Sequence, residues 1–205
     1  MYCKPISFHK AEAVWLLDGM REMNRTVLFE TTVPAGEHTE IHIAGHSCYQ
    51  VYINGEFVFF GPARAGRGCY RVDKLPIGKY LTENENKVSV LVSGYHCSNY
   101  YLIDEQAFLC AEFVSGSSIF SPTGSDAWKA YIYDQRVQKV QRYTFQRCFT
   151  EVYDFTCGDP VSSSGKKEAA LAVLEPRNYI EREISLPELP EEEIPKLFLA
   201  ISECR

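Results

Sequence analysis

The stretch of sequence that decides the fold is Cys48-Tyr49-Gln50-Val51-Tyr52-Ile53-Asn54-Gly55-Glu56-Phe57-Val58-Phe59-Phe60. An Asn-Gly pair between two runs of β-branched and aromatic residues is the strongest short-range mark of a β-hairpin, because both turn residues need positive φ. A two-residue turn predicts the cross-strand pairs Ile53/Glu56, Tyr52/Phe57 and Val51/Val58. Both faces of the hairpin are apolar in that register, with Phe60 on one and Phe59 on the other, so we expect both to be covered.

Further short strands are predicted along the chain, separated by turn clusters. β-branched and aromatic residues alternate in residues 25–33, 40–44, 87–92, 107–114 and 149–155. Clusters of Gly, Pro, Asn and Ser lie between these segments and mark turns. Many short strands with regular turn signals, and little helical periodicity before residue 160, predict an all-β jelly-roll sandwich.

The composition changes after residue 157, and we divide the chain at that point. Residues 1–157 are predicted to form the β-sandwich domain, and residues 158–205 a final strand or helix followed by a linker. Ala169 to Ala172 favour a helix, whereas a strand from Leu171 to Glu175 fits equally well. Beyond Pro176 the sequence is acidic and proline-spaced, which predicts a short, irregular and solvated C-terminal tail.

Composition excludes several classes of protein. The 205 residues carry a net charge of −6, and an acidic chain lacks the concentrated basic surface that binds nucleic acid. No apolar stretch approaches the roughly 18 residues of a membrane span. The N-terminus lacks the charged head and apolar core of a secretory leader, which predicts a cytoplasmic location. The eight cysteines are irregularly spaced, and we expect them to be reduced.

A loop at residues 61–73 carries the first group of candidate binding residues. Arg64, Arg67 and Asp73 lie among turn formers there. A guanidinium group donates to several hydroxyls at once or pairs with a carboxylate, which lysine does less well. The alternative interpretation is an ion pair of Arg64 or Arg71 with Asp73 that pins the loop.

A second candidate group follows the predicted strand 87–92. Tyr95, Asn99, Tyr100 and Tyr101 lie in a loop there, and of these we select Tyr95, Asn99 and Tyr100 as candidate contact residues. Tyrosine rings stack on sugars because they pair a flat apolar face with a polar tip. The alternatives are that these rings plug one end of the sandwich or seat a neighbouring domain.

Catalytic and metal-binding motifs do not stand out. The histidines and cysteines lack the paired spacing of tetrahedral zinc sites. His42 and His46 would share one face of a strand, but we expect Gly45 to interrupt it, and we predict no metal site. No Gly-x-Ser-x-Gly motif is present, and no two carboxylates can be placed across a cleft for glycoside hydrolysis. The four basic residues within 136–147 predict a solvated strand face.

Several short motifs nevertheless follow one another in a definite order. They are Trp15, residues 24–29 (NRTVLF), 49–58 (YQVYINGEFV), 61–64 (GPAR), 70–73 (YRVD), Leu81, residues 85–88 (ENKV), 128–131 (WKAY) and 147–155. In this order and spacing they resemble the N-terminal β-sandwich region of bacterial α-L-rhamnosidase-like glycoside hydrolases, over roughly residues 12–190. The resemblance implies a galactose-binding-like jelly roll.

The resemblance also implies a function. It points to a non-catalytic accessory module of a larger enzyme, giving structural support and binding rhamnose-containing glycans, with the catalytic (α/α) toroid of the parent chain as its partner. No helical array is present here, so no catalytic residue is carried over. Some related modules bind rhamnose with calcium, but no residue set in this sequence matches such a site. Two alternatives stay open: an independent, lectin-like carbohydrate-binding module and a small free-standing glycosidase.

Overall fold

The computed structural model describes residues 4–157 and 166–188, and its regular structure is almost entirely β. In chain order its strands are β1 (Val14–Leu16), β2 (Arg25–Val33), β3 (Thr39–His46), β4 (Cys48–Ile53), β5 (Glu56–Gly61), β6 (Cys69–Pro76), β7 (Asn86–Gly94), β8 (Phe108–Ser115), β9 (Ser118–Phe120), β10 (Lys129–Ile132), β11 (Glu168–Ala169), β12 (Leu171–Val173) and β13 (Asn178–Glu181). Two single 3-10 turns are the helical elements of these residues, and no helix among them is long and apolar enough to cross a membrane.

The strands form two sheets that pack face to face. One follows the order β12-β1-β8-β3-β6-β13, with β9 added to β8, and the other follows β11-β10-β2-β7-β4-β5. Alternation turns one side of every long strand inward, so Phe29 and Val90 of the second sheet belong to the same hydrophobic core as Ile43 and Phe113 of the first. The predicted all-β jelly-roll sandwich is confirmed.

The hairpin forms where predicted, but a β-bulge changes its register. Tyr52 faces Phe57 as expected, whereas Val51 faces Phe59 and not Val58. The extra residue reverses the sides of the last two phenylalanines: Phe59 enters the core at 4% exposure and Phe60 turns outward at 49%. The outer face of this edge hairpin is therefore partly open, and the expectation that both faces are covered is wrong.

The other predicted strands divide into those that form and one that does not. Residues 25–33 form β2, and the predicted strand at 40–44 extends to His46, so Gly45 does not interrupt it. Residues 149–155 are irregular instead, with isolated bridges from Phe149 to Arg142 and from Tyr153 to Arg136. Alternation is present there, but the segment makes no continuous ladder with either sheet.

The basic run 136–147 is not a strand face. Arg136 is buried, and its Nη1 donates to Asn24 Oδ1 at 2.8 Å and Thr26 Oγ1 at 3.1 Å. Its Nε and Nη2 donate to the two carboxylate oxygens of Glu151 at 2.9 and 2.8 Å. This side chain therefore anchors residues 134–157 beside the start of β2, which corrects the prediction of a solvated strand face.

The described part of the C-terminal segment belongs to the sandwich. Strand β11 pairs with β10, β12 with β1, and β13 runs parallel to β6. The ambiguous residues 168–173 are thus strands, because the open edges of both sheets offer them hydrogen-bond partners. The irregular tail was predicted to begin after Pro176, and that start is wrong, because Asn178–Glu181 form β13. The remainder of the predicted tail, residues 189–205, lies outside the described residues.

A smaller core covers the outer face of the seven-stranded sheet. Ile6, Phe8 and Ala11 of the N-terminal segment pack there with Phe108 and Tyr179. Ile6 N–H donates to the Tyr179 carbonyl at 3.1 Å. The N-terminal segment is therefore fastened along the outside of this sheet.

Candidate functional site

A cavity of about 380 Å³ opens at one end of the sandwich. Its walls are the end of β3, the loop between β5 and β6, the first residues of β6, and the loop 99–105. The two loops that sequence analysis singled out thus meet at one place. The side chains that define the cavity are Phe60, Arg64, Tyr70, Arg71, Tyr101 and Glu105.

Arg64 is the predicted residue placed best to meet a ligand. Its Nη2 donates to the Tyr100 carbonyl at 2.7 Å, and its guanidinium carbon lies 5.8 Å from the ring centroid of Tyr101. Arg71 supports it, since Arg71 Nε donates to the Arg64 carbonyl at 2.9 Å. The loop is therefore pinned by Arg71 through its backbone.

Asp73 lies away from the cavity and has a structural role. Its carboxylate is fully buried and accepts hydrogen bonds from Tyr49 Oη and Arg182 Nη1. Burial raises the pKa of Asp73 even though both partners oppose this effect. Among the described residues its ion-pair partner is Arg182, so neither arginine named in the sequence-based alternative pairs with it. Arg67 is exposed and does not line the cavity.

Asn99 shapes the second loop. Its Oδ1 accepts from the backbone N–H of Tyr101 at 2.7 Å and of Leu102 at 2.9 Å, while its Nδ2 donates to Cys148 Sγ at 2.8 Å. This Asx turn presents Tyr101 to the cavity. Tyr100 is 64% exposed and contributes its carbonyl to Arg64.

Tyr95 lies outside the cavity lining, under the segment that Arg136 anchors. Its ring stacks on Phe149 with centroids 6.5 Å apart, and the Arg136 guanidinium lies 5.3 Å from its centroid. Burial raises the pKa of Tyr95 well above its usual range. The ring therefore seats residues 134–157 of this same chain.

Polar groups deeper in the cavity are fixed by hydrogen bonds. Glu105 Oε1 accepts from Gly68 N–H at 2.6 Å. Burial, followed by the hydrogen bond to Glu105, raises the pKa of Tyr70 to about 12. His46 Nε2 lies 3.0 Å from the Ile103 carbonyl, to which it can only donate, and burial lowers the pKa of His46.

The arrangement suits a small ligand rich in hydroxyl groups. Arg64 and Arg71 supply donors, Glu105 supplies an acceptor, and Tyr101 and Phe60 supply aromatic surface. Sequence reasoning placed Tyr101 in the second candidate group without selecting it as a contact residue, and it did not assign Glu105 to a binding site. An irregular loop has no periodicity that says which side chain turns inward. The Asx turn at Asn99 was the available signal, since asparagine often fixes the backbone two residues further on.

The comparisons with known proteins define a class at the level of fold. No protein-family model and no curated protein sequence matches the chain. Solved structures do match: the GH78 family rhamnosidase of Bacillus sp. GL1 aligns with a TM-score of 0.77 at 22% identity, covering 88% of this chain and 20% of that one. The native α-L-rhamnosidase of Aspergillus terreus aligns at 0.53 and 14% identity, covering 82% of this chain and 21% of that one.

A third structure extends the same relationship. The Streptomyces avermitilis α-L-rhamnosidase complexed with L-rhamnose aligns with a TM-score of 0.51 at 15% identity, covering 83% of this chain and 15% of that one. The chain therefore has the fold of one β-sandwich module of larger α-L-rhamnosidases and spans 15–21% of the length of these three enzymes. The predicted resemblance is confirmed as a likeness of fold.

Proposed function

We propose that this chain is an accessory β-sandwich module of a larger α-L-rhamnosidase-like glycoside hydrolase, and that its end cavity binds carbohydrate. The observation that carries the first part is the alignment over 88% of this chain to 20% of the Bacillus enzyme. Because this chain corresponds to only a fifth of that enzyme, we assign it a supporting role and assign catalysis to other parts of the parent protein.

The cavity supports the second part of the proposal. Arg64 and Arg71 are already oriented by backbone carbonyls, so little side-chain freedom is lost when they meet a ligand. Tyr101 offers its ring beside Arg64, as sugar sites offer an aromatic face beside hydrogen-bond donors. The volume of about 380 Å³ lies within the roughly 300–1,000 Å³ of small-molecule sites.

Binding fits this cavity better than hydrolysis does. Glycosidases use two carboxylates, about 5 to 10 Å apart, on either side of the scissile bond. Among the described residues that line the cavity, Glu105 alone carries a carboxylate, and it accepts a hydrogen bond from Gly68 N–H. We therefore assign Glu105 the task of orienting a ligand.

The residues of this cavity do not fit calcium. Calcium takes about 6–8 oxygen ligands, whereas the lining places two guanidinium groups, Arg64 and Arg71, beside the single carboxylate of Glu105. The two positively charged guanidinium groups would repel a calcium ion bound beside them. Arginine and tyrosine side chains accordingly make the sugar contacts in this cavity.

Turnover of an aryl α-L-rhamnoside tests the non-catalytic assignment. Purified chain is expected to release aryl alcohol no faster than buffer. A rate that follows protein concentration and co-purifies with the chain through two orthogonal columns would contradict the assignment.

Titration with L-rhamnose, followed by amide NMR, tests the cavity. Both tryptophans are buried, at 0% and 5% exposure, so backbone shifts are a better probe than indole fluorescence. We expect saturating shifts in residues 64–68 and 99–105, lost in Tyr101→Ala. Tyr143→Ala is the matched control, since Tyr143 is 79% exposed and outside the cavity. Unchanged spectra up to about 50 mM sugar, where even millimolar affinity saturates, would exclude L-rhamnose as the ligand.

A further inference from the structure

The outer face of the seven-stranded sheet carries a cluster of metal-ligating side chains outside the end cavity. His42 on β3 lies directly opposite Glu112 on β8. His9 of the N-terminal segment lies over this pair, and the candidate ligand atoms of the three residues all lie within 4.8 Å of one another. In the part of the chain that the structure describes, no other group of histidine, cysteine and acidic residues is gathered in this way.

We propose that His9, His42 and Glu112 bind a divalent transition-metal ion such as Zn²⁺, which clamps the N-terminal segment onto the sheet. Two imidazoles and one carboxylate are a donor set that zinc uses with a fourth position open to water. Calcium and magnesium prefer oxygen ligands throughout, so this set selects against them.

Glu112 makes the site preorganised. Its buried carboxylate accepts from the backbone N–H groups of His9, Lys10 and Ala11 at 2.9, 2.8 and 3.0 Å. These three bonds hold residues 9–11 in place and bring His9 Nδ1 to 2.8 Å from Glu112 Oε1. A ligand pair that the backbone already positions loses little conformational entropy on binding a metal.

His42 is oriented by a further carboxylate. Its Nε2 lies 3.2 Å from Glu40 Oε2, and metal-bound histidines commonly donate their other ring N–H to such an outer carboxylate. The His9 and His42 rings lie 6.3 Å apart at an interplanar angle of 30°. The two imidazole rings are therefore neighbours, with their candidate ligand atoms within 4.8 Å of Glu112 and of each other.

Only a small movement is needed to close the site. Ligand atoms around a tetrahedral zinc ion, at bond lengths of about 2.0–2.2 Å, lie about 3.3–3.6 Å from one another. The His9 Nδ1 to Glu112 Oε1 pair, now 2.8 Å apart, opens slightly, while the wider separations close. The His9 side chain is 54% exposed, so it can rotate without disturbing the core, and water reaches the open coordination position.

Calorimetric titration with Zn²⁺ and Co²⁺ on reduced protein tests the proposal. We expect one equivalent to bind, with affinity lowered at least tenfold in His9→Ala and in His42→Ala. His38→Ala is the matched control, because His38 is exposed and outside the cluster. His9→Ala keeps the test independent of folding, since half of that side chain already lies in solvent.

The cobalt spectrum identifies the ligands. Nitrogen and oxygen coordination gives weak visible bands alone, whereas binding to one of the cysteines adds intense thiolate-to-metal bands. Absence of binding tighter than about 1 mM, thiolate bands, or equal affinity in wild type and His9→Ala would each overturn the proposal. The test is independent of sugar binding, so its failure leaves the cavity proposal standing.

Discussion

Asp73 on β6 is ion-paired with Arg182, 109 positions further along the chain, and their side chains are 0% and 11% exposed. Tyr49 Oη donates to the other carboxylate oxygen. Arg182 also donates from Nε to the Ile184 carbonyl at 3.0 Å, and its guanidinium carbon lies 5.8 Å from the ring centroid of Phe59. This pair therefore ties the residues after β13 to the centre of the sandwich.

Asp73→Asn is expected to destabilise the protein by about 3 kcal/mol, because it leaves Arg182 charged, nearly buried and unpaired. Urea unfolding followed by far-UV circular dichroism measures the loss. Glu183→Gln is the matched control: Glu183 lies 3.9 Å from Arg71 and is 32% exposed, so its removal should cost under about 1 kcal/mol. Adding Arg182→Met to Asp73→Asn should recover part of the loss, and strict additivity would argue against the pairing.

Gly78 is predicted to tolerate no side chain. A Cβ built there would lie 1.8 Å from the Glu37 carbonyl oxygen, a backbone atom that cannot rotate away. Gly78→Ala should therefore lower the free energy of unfolding by about 2 kcal/mol or more. Gly66→Ala is the control, since no atom lies within 4 Å of its Cβ and its φ is not positive. Equal effects of the two substitutions would show that the close approach at Gly78 is absent in solution.

Acidification is predicted to weaken the fold through two histidines. Burial lowers the pKa of both His46 and His96 below the ordinary value of 6.5. A group with a lowered folded pKa contributes stability in full above its unfolded pKa, and the contribution is lost as pH falls through the folded pKa. The free energy of unfolding should therefore decline as the pH falls below the ordinary histidine pKa of 6.5. His46→Gln, which keeps a donor for the Ile103 carbonyl, should flatten the profile, while His38→Gln should not.

Arg136→Lys is expected to release residues 137–153 while leaving the two sheets folded. Lysine cannot reproduce the two-point contact with Glu151 together with the bonds to Asn24 and Thr26. Hydrogen exchange measured by mass spectrometry should show faster exchange in that segment and little change in β2 and β7. Arg147→Lys, at an exposed arginine of the same segment, serves as control. Faster exchange throughout the chain would mean that the segment and the sheets unfold together.

Local chemistry explains which parts of the fold could be predicted from the sequence. The Asn54-Gly55 turn requires two residues that accept positive φ, and the structure has them at 53° and 87°. The bulge could not be predicted, because the turn residues do not specify it and the core packing of Phe59, whose ring centroid lies 6.5 Å from that of Tyr49, is a tertiary contact. Alternation at residues 149–155 resembled a strand, but pairing depends on a free sheet edge, which is a property of the whole fold.

In the candidate site, too, features set by local sequence could be predicted and those set by tertiary contacts could not. Arg64 and Asn99 were found because polar residues among turn formers mark loops at the end of a sandwich. Asp73 was wrongly grouped with them because it is close to Arg64 in sequence. Its burial and its pairing with Arg182, far away in sequence, are visible only in the folded chain. The His42 and Glu112 pairing depends on the register between β3 and β8, and no local pattern encodes that register.

The parallel pairing of β13 with β6 has a consequence for biosynthesis. During synthesis, residues 69–72 of β6 lack their pairing partner until residues 178–181 of β13 have been made. At the roughly 5–20 residues per second of translation, this interval lasts about 5–20 s. During it, the nascent chain exposes unpaired strand edges of β1 and β6, which are templates for association with other chains. We expect this module to complete its sheets only after residue 181 has been synthesised, and to depend on chaperones more than a protein of mainly local contacts does.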